Sequence, residues 1–407
     1  MSLGQPPSRS PRILAVLPDV PWPVNSGKRI REWSAVSALS GIGDVDLLTV
    51  GLDVDRAETP PNVSLRSAES VLLRYRGKLS AGMRLASGRP WRVSVADWSP
   101  VVTRINQLNS GSYDLAWFGS LDGWVELRQK VRALRVIIDI DDVETEKLKG
   151  FLATAAEGGA GSRLDRIQGR VEKVMWARIQ KAAVRDTDAV LVSGASDAQL
   201  LGTSKAVVIP NCYPDPEPQL GPPGDVQADA GAIVMVGNYS YEPNLDGALF
   251  MATDVMPHVL ERIPHARLFL VGRGAPEALR KLGQLPGVVA VGEVDEVATH
   301  LRSSRLAIAP VRYGGGTRIK LIEAFAYSLP TVSTTIGCHG LDVTNGRELL
   351  VADQPADFAA ACCRILDDDG LASSLARAGH ELYEREYRPA AVRERIQQLA
   401  NRVIAGG

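Results

Sequence analysis

Short apolar runs rich in Val, Ile and Leu recur along the chain. Between them lie segments whose apolar residues return every three or four positions. In the first half the runs at 12–17, 45–50, 115–118, 136–140 and 189–192 predict buried strands, with helices over 28–40, 99–109 and 163–185. In the second half the strands fall at 232–236, 267–271, 288–291, 306–309 and 330–333. Helices over 244–261, 275–283, 295–303 and 318–328 alternate with them. Strands this short and this apolar, alternating with helices, predict an α/β architecture of parallel sheets covered on both faces.

Six prolines fall among residues 210–223 and preclude a helix or central strand there. The expected organisation is a first Rossmann-like domain over 1–210, a linker over 211–230 and a second domain over 231–385. A final helix, 386–407, is expected to pack back on the first domain. Ligands of open α/β sheets bind beyond the carboxyl ends of the strands, so a cleft between two such domains is where function is expected.

Charge narrows the choice of partner. The 407 residues balance to a net charge of -1, which gives no general attraction for nucleic acid. Residues 1–210 carry +5 and the remainder -6. Between Glu69 and Asp97 no carboxylate interrupts Arg74, Arg76, Lys78, Arg84, Arg89 and Arg92, with Trp91 and Trp98 nearby. A solvated face over a core tryptophan is the first expectation, and peripheral contact with a membrane or an anionic acceptor is the alternative. The first apolar run, Ile13 to Leu17, is shorter than a signal-peptide core, and no eighteen-residue apolar stretch occurs. Cys212, Cys338, Cys362 and Cys363 show no CxxC spacing and read as reduced thiols of a cytoplasmic protein, with Cys362 and Cys363 in the core. All five histidines lie beyond residue 250, so chemistry in the first domain rests on carboxylates, hydroxyls or backbone groups.

The most informative stretch runs from Val311 to Val332. Gly314, Gly315 and Gly316 allow close backbone approach to a ligand, and Thr317 is a plausible N-cap for the helix that follows. Arg318 and Lys320 put two cations in the first helical turn, against the macrodipole unless an anion compensates. Glu323 follows one turn on, and a cation pair backed by a carboxylate suits a diphosphate and a ribose diol. The plainer reading is a glycine turn with a solvated basic helix start. No Walker sequence is present, and Gly272-Arg273-Gly274 lacks the third glycine of a dinucleotide fingerprint because position 277 is Glu.

In order along the chain stand Val236-Gly-Asn238, Leu268 to Gly274, Gly292-Glu-Val294, Gly314 to Val332, Gly337-Cys-His-Gly-Leu341 and Glu348-Leu-Leu-Val351. Together they resemble the family 4 retaining glycosyltransferases of the GT-B fold. Pro21 to Gly27, Asp139 to Val143 and Asn211 add weaker matches in the first half. The resemblance implies two Rossmann-like domains, a nucleotide diphosphate sugar donor held mainly by the second and a hydroxyl acceptor held mainly by the first. It implies that Glu323 meets the ribose, that Glu293 and Val294 lie beside the base, and that Gly27 approaches the donor. Asn238, Arg273 and the Gly314–Thr317 loop complete the expected donor site.

Three positions depart from the family's pattern. Gly315 stands where many relatives have a first glutamate, and Asn238 and Pro243 stand where many have Arg and Lys. Arg318 and Lys320 are therefore expected to neutralise the diphosphate, with no metal required. Asp139, Asp141 and Asp142 end a strand of the first domain; Asp142 is expected to touch donor or acceptor, a helix cap or a metal being the alternatives. His339 either faces the donor or lies in a surface loop. Retention needs no strong protein base, whereas an inverting enzyme with an aspartate base fits the composition equally well. The departures also leave open an epimerase or hydrolase, or an inactive partner protein.

Overall fold

The computed structural model describes residues 9–406 except 25, 52–62, 78–87, 110, 142, 147, 149–162, 218–228 and 315–318. The chain divides into two compact units. The first comprises 1–211 and 392–407, the second 212–391.

The sheet of the first unit contains β1 (Arg12–Leu17), β2 (Asp44–Gly51), β3 (Ser67–Leu72), β6 (Tyr113–Phe118), β7 (Ala133–Asp141), β8 (Ala189–Val192) and β9 (Ala206–Val208). A short antiparallel pair, β4 (Arg74–Tyr75) and β5 (Ala96–Asp97), stands apart from it. The seven strands run in the order β3-β2-β1-β6-β7-β8-β9, every pairing parallel. Ile13 pairs with Val45 on one side and Leu115 on the other, so β1 is central and its side chains from Ile13 to Leu17 are buried. Leu14, Phe118, Trp124 and Trp176 belong to one apolar cluster of this unit.

The second sheet is β10 (Ala232–Val236), β11 (Arg267–Val271), β12 (Val288–Gly292), β13 (Leu306–Ala309), β14 (Thr331–Ser333) and β15 (Leu350–Val351), ordered β12-β11-β10-β13-β14-β15 and parallel throughout. Phe250, Phe358, Cys362 and Cys363 pack in its core with Ile233 and Leu268. All four cysteines are free thiols. The helix expected over 244–261 is divided into Glu242–Phe250, a π-helical turn Met251–Val255 and Met256–Arg262. Pro257 has no N–H for the carbonyl of residue 253, and the wider turn absorbs that missing bond.

In both sheets the strand order reverses between two neighbours, β1 and β6 in the first and β10 and β13 in the second. Loops leaving paired strands in opposite directions open a crevice at their carboxyl ends. The terminal helix Pro389–Ala405 enters the first unit at Val392, and Gln397 Nε2 donates to Ala38 O at 3.1 Å. No helix among the described residues is long and apolar enough to cross a membrane.

Candidate functional site

The loops beyond β10, β11 and β13 in the second unit are held together by backbone contacts that side chains would obstruct. Gly237 N donates to Val271 O at 3.0 Å, Tyr239 N to Arg273 O at 2.7 Å and Gly272 N to Gly292 O at 2.7 Å. Gly272 has φ +129°, and a Cβ there would lie 2.0 Å from Gly237 O. Gly314, at φ +101°, comes so close to the neighbouring loop that a Cβ would lie 2.7 Å from the Tyr241 hydroxyl. Beyond β10, Asn244 ties the turn by donating from Nδ2 to Asn238 O at 2.9 Å.

Helix Ile319–Ala326 starts beyond β13 and carries both remaining polar groups of this site. Lys320 Nζ donates to Asn244 Oδ1 at 2.5 Å, which brings the cation to the β10–β13 reversal. Glu323, one turn later, is 8% exposed among Leu321, Ile322 and Phe325. Tyr213 Oη donates to its Oε1 at 2.5 Å. Burial lifts the Glu323 carboxyl from 4.5 to about 7, although Tyr213 and Lys320 both pull it down. Tyr213 is itself anchored: its N–H donates to Tyr387 O at 3.1 Å and its carbonyl accepts from Tyr383 Oη at 3.2 Å.

The first unit has its own cavity of about 340 Å³ at the β1–β6 reversal, lined by Leu17 and Pro18 at the end of β1 and by Gly119 and Ser120 after β6. Helix Gly27–Ser40, capped by the Ser26 side chain, brings Arg31 and Glu32 to it. Arg31 Nη2 donates to Asp139 Oδ1 at 2.7 Å and its Nε reaches both Asp139 oxygens at 2.9 Å. Its Nη1 donates to Ile209 O at 2.8 Å and Asn211 Oδ1 at 3.1 Å. The pairing of β7 with β8 shifts register between Asp139 and Asp141, and Asp141 has φ +57°. Such a bulge re-aims a side chain, and here Asp141 lines the cavity with Asn211 Nδ2 3.3 Å from its Oδ1.

Residues 230–368 match the family model of glycosyl transferases group 1. That segment includes Asn244, Gly314, Lys320 and Glu323. The chain is 29% identical over 182 residues to the phosphatidyl-myo-inositol mannosyltransferase of Mycolicibacterium smegmatis, covering 43% of this chain and 46% of that protein. The chain thus spans about half the length of that curated relative. Sucrose-phosphate synthase from Thermosynechococcus elongatus is similar in structure, with TM-score 0.67 and 19% identity over 97% of this chain and 100% of that one. Anabaena HepE in complex with UDP and glucose has TM-score 0.62 and 11% identity over 95% and 99% of the two chains. The two Rossmann-like parallel-sheet units are of the GT-B class these structures share.

The residues expected from the sequence fall as follows. In the group 1 segment, Lys320, Glu323 and Gly314 gather beyond β10 and β13, with Asn238 and Arg273 in adjoining exposed turns. Glu293 and Val294 follow β12; Glu293 is exposed and Val294 is partly buried against the apolar cluster around Val234 and Leu301. Gly27 opens helix Gly27–Ser40 of the first unit. Gly315, Gly316, Thr317, Arg318 and Asp142 lie outside the described residues. His339 is exposed. In the basic stretch Arg76 pairs with Asp97, Arg89 with Glu126, and Arg92 with both Asp122 and Glu144, while Lys78 and Arg84 lie outside the described residues. Trp98 is in the core and Trp91 is 43% exposed.

Tyr213, Asn244, Arg31 and Glu32 were not singled out from the sequence. Tyr213 sits in the proline-rich segment with no motif around it, and its partner is 110 residues away. Asn244 carries one faint signal: an amide near an Asn-rich turn, where a cationic residue is absent from Pro243. No group of three His, Cys, Asp or Glu side chains suited to a metal occurs among the described residues.

Proposed function

We propose that the protein moves a hexosyl group from a nucleotide diphosphate sugar to a hydroxyl acceptor, with retention of configuration. One observation carries the reading: Lys320, Asn244 and the buried Glu323 stand together at the strand-order reversal of the second unit, inside the segment that matches group 1. In this reading Lys320 exchanges Asn244 for a diphosphate oxygen and Arg318 adds a second cation. Glu323 takes the ribose hydroxyls, and Glu293 and Val294 border the base. The acceptor belongs to the first unit; Gly27 approaches the donor, and Asp142 touches donor or acceptor. HepE's complex with UDP and glucose supports this class of donor.

The reaction breaks the bond between the anomeric carbon and the diphosphate oxygen. The acceptor oxygen forms the new bond on the same face, and its proton passes to the departing phosphate. Charge building on the diphosphate is the feature to stabilise, and fixed cations do this without reorganising. With Lys320 and Arg318 in that role, no metal is required and transfer proceeds in EDTA. A cytoplasmic location suits this donor and the reduced thiols.

The test is incubation with labelled donor sugars and an acceptor panel, with the product's anomeric configuration read by NMR. Donor-matching configuration supports the reading, and the opposite anomer contradicts retention. Free or epimerised sugar formed without acceptor would favour a hydrolase or epimerase.

A further inference from the structure

Tyr213 holds the Glu323 carboxyl by one oxygen and leaves the other open. Its Oη donates to Oε1 at 2.5 Å, while Oε2 accepts from no group among the described residues and is not fully enclosed. The helix neighbours Leu321, Ile322 and Phe325 are apolar and buried. Lys320 acts on the carboxyl through charge, with its Nζ donating to Asn244. A carboxyl plane turns easily about its last bond, because that torsion has no sharp staggered wells. The bond from Tyr213 therefore sets the angle of the plane and decides which oxygen is presented.

The tyrosine itself is held at three points. Its N–H donates to Tyr387 O at 3.1 Å, its carbonyl meets Tyr383 Oη at 3.2 Å, and its ring packs edge-on against Tyr327 with centroids 6.4 Å apart. Burial and the neighbouring Glu323 charge push the Tyr213 phenol well above its usual range, so the group keeps its proton and remains a donor. Oε1 retains lone-pair capacity beyond the one site that faces Tyr213. A ribose presents two adjacent hydroxyls, and one carboxylate meets both only when its two oxygens are turned toward them together.

We infer that Tyr213 is a positioning residue for nucleotide recognition, fixing the plane of the Glu323 carboxylate so that both its oxygens meet the adjacent ribose hydroxyls. The inference rests on the reading that Glu323 takes the ribose, and it gives the tyrosine a part in selecting ribose over deoxyribose. Ionisation supplies a second readout. Burial raises Glu323 to about 7, and the Tyr213 bond and the Lys320 charge oppose that rise. Tyr327, the other titratable group that feels Glu323, has its phenol raised by burial and stays neutral. Loss of the Tyr213 hydroxyl removes one of the two influences that favour the anion, so the carboxylate then forms at higher pH.

Tyr213→Phe tests this, since it keeps the ring, the Tyr327 contact and both backbone bonds and removes only the donor. Calorimetric titration of the full chain compares UDP, GDP and ADP with their 2′,3′-dideoxy analogues between pH 6 and 9. In the wild type at pH 8, at least one ribonucleotide should bind roughly tenfold or more tightly than its analogue. Tyr213→Phe should cut that ratio to about threefold or less and leave the analogue's affinity within about twofold. It should also move the rise of the ratio with pH to higher pH. An unchanged ratio and pH profile, or an equal loss for ribonucleotide and analogue, overturns the positioning role and leaves Glu323 as the ribose residue. No ratio in the wild type, or no binding by any of the three, overturns the ribose reading and the positioning role with it. If Tyr213→Phe does not fold, Tyr383→Phe decides by releasing the Tyr213 carbonyl: the ratio should fall about twofold or more, and an unchanged ratio overturns the inference.

Discussion

Replacing Glu323 by Gln should make the second unit more stable at alkaline pH and remove a pH dependence. Gln retains an oxygen that accepts from Tyr213 and loses only the ability to ionise. In the wild type the folded carboxyl titrates at about 7 against an ordinary value of 4.5, because burial disfavours its anion. Between those two values the native state holds the proton more firmly than the unfolded chain does. Stability from this group is thus full below about 4.5 and is lost as pH rises to about 7. At 1.36 kcal/mol per pH unit, the span from 4.5 to about 7 amounts to about 3 kcal/mol. The assay is denaturant unfolding of wild type and Glu323→Gln from pH 4 to 8.5, followed by a probe in the second unit. The stability difference should grow in favour of Gln by about 2–4 kcal/mol across that range. A difference that stays level with pH would mean that Glu323 ionises normally, and the desolvation argument would be wrong.

Further outcomes follow from the same geometry. Arg31→Met leaves Asp139 buried without its bidentate partner and should cost about 3–5 kcal/mol in calorimetry of the first unit, most of it recovered in the Arg31→Met/Asp139→Leu double variant. Gly272→Ala places a methyl 2.0 Å from Gly237 O at φ +129° and should cost about 1–3 kcal/mol or more of second-unit stability, measured by denaturant unfolding. Lys320→Met should weaken binding of a nucleoside diphosphate at least tenfold in calorimetric titration while leaving the corresponding nucleoside nearly unchanged.

Much of the fold is readable because its central strands are buried on both faces. β1 from Ile13 onward, β8 and β10 are continuous apolar runs that no solvent-facing residue interrupts. β3 and β9 escape the same reading because they are edge strands, where Ser67, Glu69 and Ser70 face partly outward or only one neighbour contributes pairing. At the candidate donor site, Lys320 and Glu323 are legible through one helix turn. Their partners Asn244 and Tyr213 lie 76 and 110 residues away and come close only through the sheet's strand order and the packing of the linker start. The first-unit cavity is harder still. The segment 28–40 reads as an amphipathic helix, and Arg31 and Glu32 acquire meaning only when β7 brings Asp139 across 108 residues. The aspartates ending that strand looked like a helix cap, a substrate contact or a metal site. Folding makes one of them, Asp139, the clamp on Arg31 and turns Asp141 toward the cavity.

The most direct test of donor binding is a thermal-shift panel of UDP, GDP, ADP, CMP and dTDP on wild type and Lys320→Met, each with magnesium or EDTA. A ligand at about 100 times its Kd adds roughly 2.7 kcal/mol, which for a unit of this size raises Tm by roughly 5–10 °C. The account predicts such a shift for one nucleoside diphosphate, equal in EDTA and cut to about half or less in Lys320→Met, since a tenfold weaker Kd leaves roughly 1.4 kcal/mol. No shift from any of the five, or an equal shift in Lys320→Met, would contradict it.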